Sequence, residues 1–107
     1  MRKKIVTLVL GFLPFAGLSA VAKEHTIKQK NKQFSQKEIK LKVGESLKFT
    51  NEDNTTHHIM MKVDGKRISQ KQVEGAAPIV QTFSKPQETT VRCAIHPKMM
   101  LKVTVEP

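Results

Sequence analysis

The 107-residue sequence contains a single cysteine and few aromatic residues. It has no tryptophan and no tyrosine, and of its five phenylalanines only Phe34, Phe49 and Phe83 follow residue 22. One cysteine cannot form a disulfide within the chain, so Cys93 is left for a metal, an intermolecular bond or a reactive thiol. So few aromatic rings offer little for nucleic-acid bases to stack on. We therefore expect no nucleic-acid partner.

Acidic residues are also scarce, since nine Asp and Glu stand against 19 Lys and Arg, for a net charge of +10. The basic residues are spread along the chain rather than clustered. This distribution is typical of solvated strand faces that keep a protein soluble, and the surplus also permits an acidic partner. The sequence shows neither internal repeats nor a low-complexity tract.

Only one long apolar run is present, Ile5–Leu18, and three basic residues, Arg2–Lys4, precede it. Small residues at positions 20 and 22 follow it, a pattern typical of a signal peptide cleaved after Ala22. The run is short for a membrane anchor, which needs about 20 apolar residues. We expect a signal peptide over residues 1–22 and export of residues 23–107 to the periplasm or medium, as a monomer without a membrane contact. A domain this small is often stabilised by a metal or by disulfides.

Apolar and polar residues alternate with a period of two along most of the exported part. Short strands with one apolar face, separated by turn residues, predict an all-β fold, an antiparallel Greek-key β-sandwich. Residues 66–74 show no clean alternation and fit a short helix or a loop. The predicted strands are centred on Thr26–Lys30, Ile39–Val43, Leu47–Phe49, His57–Met61, Ile79–Phe83, Val91–Cys93 and Leu101–Val105.

One thiol, one imidazole and two thioethers lie within eight residues, CAIHPKMM, from Cys93 to Met100. Two histidines and one cysteine in a plane, with a long axial methionine, form the electron-transfer copper site. The pattern therefore predicts one type 1 copper ion. The second histidine must come from elsewhere in the chain, and His25, His57 and His58 are the candidates.

Strand phase separates these candidates, because alternate residues of a strand point to opposite faces. His57 falls on the apolar face of its predicted strand, His58 falls on the other, and His25 follows closely on the expected cleavage point. Met99 is in phase with the apolar residues of the last strand, whereas Met100 is in phase with its lysine. The predicted ligands are His57, Cys93, His96 and Met99.

Two segments of the chain carry a family resemblance, FTNEDNTTHHI (Phe49 to Ile59) and VRCAIHPKMM (Val91 to Met100). They resemble the cupredoxins, the small blue copper proteins, and within them the plastocyanin and amicyanin branch. In that branch an asparagine precedes the first ligand histidine by six residues, as Asn51 precedes His57. A short C-x-x-H-x-x-M loop near the C-terminus supplies the other three ligands. The resemblance extends in strand order over the whole of the exported part.

The resemblance implies the cupredoxin fold and the same ligand set, and it adds one detail of the site. The backbone N–H after the first histidine, here that of His58, is expected to donate to the cysteine sulfur. Two departures concern the residues before the ligands: Arg92 precedes Cys93 in a run without the aromatic residue frequent in the family, and Ile95 stands where proline is frequent before the second histidine. The missing ring leaves a through-ring electron route without support.

The predicted function is that of a carrier of single electrons between protein redox partners by Cu(II)/Cu(I) cycling. By resemblance, the exposed edge of His96 is the electron port, within an apolar patch formed by Pro97, Met100 and residues 76–78. Lys98 and Arg92 flank this loop and suggest an acidic partner. We do not expect an enzyme, because one copper with a full ligand set leaves no open position for a substrate.

Two other functions remain open at the level of sequence. A protein that stores or delivers Cu(I) would explain the surplus of methionines and the second histidine of the His57–His58 pair. A metal-free binding domain of the same fold would leave Cys93 as an ordinary buried thiol. The residues that keep copper handling open are His58, Met60, Met61, Met99 and Met100.

Overall fold

The computed structural model describes residues 22–107, so the predicted signal peptide lies outside the described residues except for Ala22. This part of the chain is all-β and contains no helix. It therefore has no helix long and apolar enough to cross a membrane. The strands are β1 (Glu24–Lys30), β2 (Gln33–Phe34), β3 (Glu38–Lys42), β4 (Ser46–Asn51), β5 (His57–Val63), β6 (Lys66–Gln72), β7 (Ile79–Thr82), β8 (Gln87–Cys93) and β9 (Met100–Glu106).

The strands form two sheets, a five-stranded one in the order β3-β9-β8-β5-β6 and a four-stranded one in the order β2-β1-β4-β7. The predicted β-sandwich is confirmed, and its strand order is consistent with a Greek key. The prediction of antiparallel sheets needs one correction, because β3 pairs with β9 and β1 pairs with β4 in parallel. Both sheets are therefore mixed.

The parallel pairs arise where the chain changes sheets instead of closing a hairpin. Strands β3 and β4 follow each other in sequence but belong to different sheets. Gly44 lies in the turn between them with φ 93°, a left-handed conformation that glycine adopts without steric cost. Its N–H donates to the carbonyl of Phe83 at 2.7 Å, which anchors the turn to the end of the four-stranded sheet. Because distant segments supply the partners of β3 and β4, local patterning does not set the direction of pairing.

Residues 66–72 form a strand where the sequence favoured a short helix or a loop. This strand, β6, pairs antiparallel with β5 over its whole length, from Lys66 opposite Val63 to Gln72 opposite His57. It is the edge of the five-stranded sheet, and most of its side chains are exposed. Ile68 is the only apolar residue of β6, so alternation of apolar and polar residues could not reveal this strand.

The core lies between the sheets and is formed by the inward residues of the predicted alternation. Cys93 and Met99 belong to it, with exposed fractions of 1% and 2%. Val43 is 40% exposed because β3 ends one residue earlier, at Lys42. The fully buried apolar residues of the core are Ile27, Leu47, Phe49, Ile59, Phe83, Val91, Leu101 and Val103.

Candidate metal centre

Two neighbouring strands bring the first histidine and the cysteine together. Strands β5 and β8 are antiparallel, and their register places Ile59 opposite Cys93. Because residues two apart share a face, His57 lies on the same inner face, just beyond the end of β8. The N–H of His58 donates to Cys93 Sγ at 3.3 Å, as the family resemblance implied, and the N–H of Ala94 donates to the carbonyl of His58 at 2.9 Å.

The side chains of His57, Cys93 and His96 converge on one point. Cys93 Sγ lies 3.7 Å from His57 Nδ1 and 3.5 Å from His96 Nδ1. All three potential ligand atoms lie within 4.8 Å of one another, so that a single metal ion could contact them all. His57 is fully buried, and His96 remains partly exposed. A thiolate with two imidazoles is a donor set that suits copper, and this group is positioned to bind it.

The paired methionines differ in burial, as strand phase predicts. Met99 is 2% exposed, and its N–H donates to the carbonyl of His96 at 2.9 Å, closing the loop between β8 and β9. Met100 is 47% exposed, and its Sδ accepts a hydrogen bond from Arg92 Nη1 at 2.9 Å. Met99 is thus the buried thioether at the end of the loop that carries His96, and its role as the fourth ligand stays a prediction.

The other two candidate histidines bind elsewhere. His25 Nε2 is 2.9 Å from Glu45 Oε1, which ties β1 to the turn before β4. His58 Nε2 is 2.7 Å from Ser69 Oγ on the outer face of the five-stranded sheet. In the metal-ligand group found among residues 22–107, the histidines are His57 and His96. His57, the histidine chosen from strand phase, thus lies with Cys93 and His96, and the role of these residues as ligands stays a prediction.

His57 also contacts a carboxylate, that of Asp53, which the sequence analysis did not single out. Asp53 Oδ2 lies 2.7 Å from His57 Nε2, and the Asp53 side chain is only 9% exposed. Burial raises the pKa of this carboxyl, but hydrogen bonds from the Lys32 N–H, His57 and the Asn31 N–H outweigh it and lower the pKa below its ordinary value. Asp53 is therefore ionised at neutral pH. Only the path of the loop between β4 and β5 brings it beneath the histidine.

The partly exposed side of the centre is the edge of His96. Burial lowers the pKa of this histidine, and the neighbouring His57 and Lys32 lower it further, which favours the neutral imidazole that binds a metal. His96 lines a surface hollow together with Ile95, Pro97, Lys98 and Lys32. Lys32 belongs to the turn between β1 and β2, and nothing in the sequence placed it there. Residues 76–78 were also expected in the apolar patch around His96, and of these, residues 77 and 78 are exposed.

Neither protein-family models nor curated proteins match this sequence. Solved structures of amicyanin do match its fold. A methionine-to-alanine variant of amicyanin in the Cu(I) state has a TM-score of 0.70 and 20% identity, over 87% of this chain and 91% of that one. A second such variant, also in the Cu(I) form, has a TM-score of 0.71 and 21% identity over the same shares of the two chains.

Amicyanin from Paracoccus versutus has a TM-score of 0.68 and 19% identity, over 83% of this chain and 87% of that one. At this identity the likeness establishes the fold. The described part of the chain accordingly has the fold of the cupredoxins, the family that its two sequence motifs resemble.

Proposed function

We propose that this protein is an exported type 1 copper protein that carries single electrons between protein redox partners. The observation that carries the proposal is the approach of Cys93 Sγ to the Nδ1 atoms of His57 and His96, at 3.7 and 3.5 Å. Bound copper would supply the one-electron change between Cu(II) and Cu(I). The proposed ligands are His57, Cys93, His96 and Met99.

The chain's own residues hold the donor atoms in place. His57 and Cys93 are on paired strands, and the N–H of His58 donates to Cys93 Sγ, which fixes the position of the sulfur. Because the donors are fixed by the sandwich, little rearrangement accompanies a change of charge at the metal. The protein would supply all four ligands, so the proposal is a carrier rather than an enzyme. Export rests on the predicted signal peptide, residues 1–22, and gives a domain of residues 23–107.

Titration of the purified metal-free protein with copper tests the proposed function. We expect one copper per chain, an intense visible colour in the oxidised state and reversible bleaching on reduction. A colourless protein that binds copper only as Cu(I) would instead support storage or delivery. Failure to take up copper would support a metal-free binding domain.

Replacement of the two methionines separately will identify the fourth ligand. We expect Met99→Leu to change the visible spectrum and raise the reduction potential, because loss of a thioether donor disfavours Cu(II) more than Cu(I). The matched change Met100→Leu should leave the spectrum unaltered, since this side chain is 47% exposed and bonded to Arg92. Spectra and redox titrations of both proteins provide the measurement. An altered spectrum in the Met100 variant alone would reverse the assignment.

The hollow around His96 is the proposed docking site for an acidic partner. Ile95 is 50% exposed there, and Lys32 and Lys98 lie in the same hollow. Exposed apolar surface favours close contact, while the two ammonium groups attract an acidic protein and repel a second copy of this chain.

Electron self-exchange between oxidised and reduced copies tests this face without knowledge of the partner. Its rate should rise several-fold with ionic strength, because salt screens the repulsion between the lysine pairs of two copies. We expect Lys32→Gln with Lys98→Gln to raise the low-salt rate and flatten the salt dependence, as measured by NMR line broadening. Lys66→Gln with Lys85→Gln removes the same charge and should have a smaller effect. Equal effects of the two double variants would contradict docking at His96.

A further inference from the structure

The carboxylate of Asp53 contacts two separate parts of the chain, the turn between β1 and β2 and the first residue of β5. Asp53 Oδ1 accepts the N–H of Asn31 at 2.6 Å, and Oδ2 accepts the N–H of Lys32 at 2.9 Å. Oδ2 is also 2.7 Å from His57 Nε2. The Asp53 N–H donates to Asn51 Oδ1 at 2.9 Å, which shapes the loop that carries the carboxylate. Asp53 thus joins the turn between β1 and β2 to the buried imidazole of His57.

This contact determines which nitrogen of His57 is available to a metal. An ionised carboxylate only accepts hydrogen bonds, so His57 Nε2 must carry the proton that it shares with Asp53. In the neutral imidazole the other nitrogen, Nδ1, then has a free lone pair. Nδ1 is the atom that faces Cys93 Sγ, at 3.7 Å. Because the ring is fully buried, Asp53 is well placed to select this tautomer.

The negative charge of Asp53 also acts on the metal site through the imidazole. The carboxylate contacts Nε2, so only the imidazole ring separates its charge from the Nδ1 donor. It is also shielded from water, because only 9% of the Asp53 side chain is exposed. Attraction between charges is stronger away from water, and the oxidised site carries one more positive charge than the reduced site. Hydrogen bonding of a ligand histidine to a carboxylate also makes the imidazole a stronger donor. Both effects favour Cu(II) and lower the reduction potential.

The same carboxylate stabilises the turn that brings Lys32 to the docking face. Asn31 and Lys32 have φ values of 55° and 54°, a left-handed conformation that asparagine tolerates but that is unfavourable for lysine. Asp53 accepts the N–H groups of both residues, which favours this turn. Lys32 then lies beside His96. Asp53 therefore connects the inner ligand to the surface through which electrons are proposed to pass.

We propose that Asp53 is a positioning residue of the copper site, which holds His57 as its Nε2–H tautomer and favours the oxidised metal. This inference rests on the proposed function for its second part only. The tautomer is a property of the metal-free protein. Nothing in the alternation of the sequence identified Asp53, because the residue lies in a loop.

Nitrogen-15 NMR of the metal-free protein tests the first part directly. At about pH 8, above the ordinary histidine pKa of about 6.5, neutral imidazoles report their tautomers through the two ring nitrogens. We expect His57 to be the Nε2–H form in the wild type and a mixture of both forms in Asp53→Ala. An Nδ1–H form in the wild type would overturn the proposal without any variant, and so would an unchanged tautomer in folded Asp53→Ala.

Redox titration of the copper-loaded protein tests the second part. Asp53→Asn keeps the shape of the side chain, and its amide oxygen can still accept from His57, but the charge is lost. We expect the ratio of Cu(II) to Cu(I) affinity to fall about tenfold, which raises the potential by about 59 mV. Asp64→Asn is the matched control, because Asp64 also holds a turn, through Ser84 and Gln87, at the opposite end of β5.

Equal potentials for the two asparagine variants would overturn the electrostatic part of the proposal. A wild-type protein that binds no copper would refute the proposed function and the potential shift with it. The tautomer of His57 would still decide in that case whether Asp53 orients the imidazole.

Discussion

Replacing Cys93 by serine will abolish the visible colour of the copper-loaded protein and its reversible redox change. The thiolate is the donor whose electrons give an electron-transfer copper site its colour, and a hydroxyl cannot replace it at neutral pH. Cys93 lies at the point where both imidazole Nδ1 atoms meet, at 3.5 and 3.7 Å from its sulfur. Visible absorption and electron paramagnetic resonance after copper addition measure the loss.

The serine variant should fold, because Cys93 is small and serine can accept the same N–H from His58. NMR spectra of the two metal-free proteins check this point. His58→Gln is a matched control on the neighbouring strand β5, since only the backbone N–H of His58 reaches the sulfur while its side chain contacts Ser69. We expect that control to keep the colour. A Cys93→Ser protein with unchanged colour would refute the site.

Replacing Gln72 by leucine will lower the free energy of unfolding by about 3 kcal/mol, because buried carbonyls lose their donor. Gln72 is 1% exposed, and its Nε2 donates to the carbonyls of Phe49 at 3.0 Å and Ala77 at 3.2 Å. Its Oε1 accepts from Gln29 Nε2 at 2.6 Å. Each buried group left without a partner costs about 1–3 kcal/mol, and leucine returns only part of this through its apolar surface.

The loss of stability should also affect the metal centre, because Gln72 pairs with the proposed ligand His57 at the end of the β5–β6 ladder. Gln70→Leu makes the same chemical change two residues away on an exposed position, and its effect should stay within about 0.5 kcal/mol. Denaturant unfolding of the metal-free proteins measures both values. Equal stabilities of the two variants would show that the buried amide contributes little.

The local pattern of the sequence was sufficient to predict which side chains near the site are buried and which are exposed, where strand phase decides this. Alternation with a period of two placed His57 inward and His58 outward, and it separated buried Met99 from exposed Met100. Cys93 ends β8 and His96 lies three residues later in the short loop that follows, so their closeness in sequence already predicts that the two side chains are near each other. The β-sandwich also followed from alternation, because each strand must bury one apolar face.

Features of the fold that join distant segments could not be predicted from local alternation. The parallel pairing of β3 with β9 joins segments some 60 residues apart, from Ile39 to Val103, and depends on how the chain crosses between sheets. Strand β6 was missed because an edge strand has little to bury. The buried pair of Gln29 and Gln72 also depends on two distant strands, since polar side chains follow no apolar period.

By itself, then, the sequence determined a two-faced β architecture and a set of soft donors with the spacing of a copper site, while its N-terminal pattern remains a prediction of a signal peptide. The tertiary structure decided which further groups surround those donors. Asp53 meets His57 through the path of the loop between β4 and β5. That loop packs against the turn between β1 and β2, which brings Lys32 to the hollow around His96. This turn and this loop are distant in sequence, and no repeating local pattern encodes their contact.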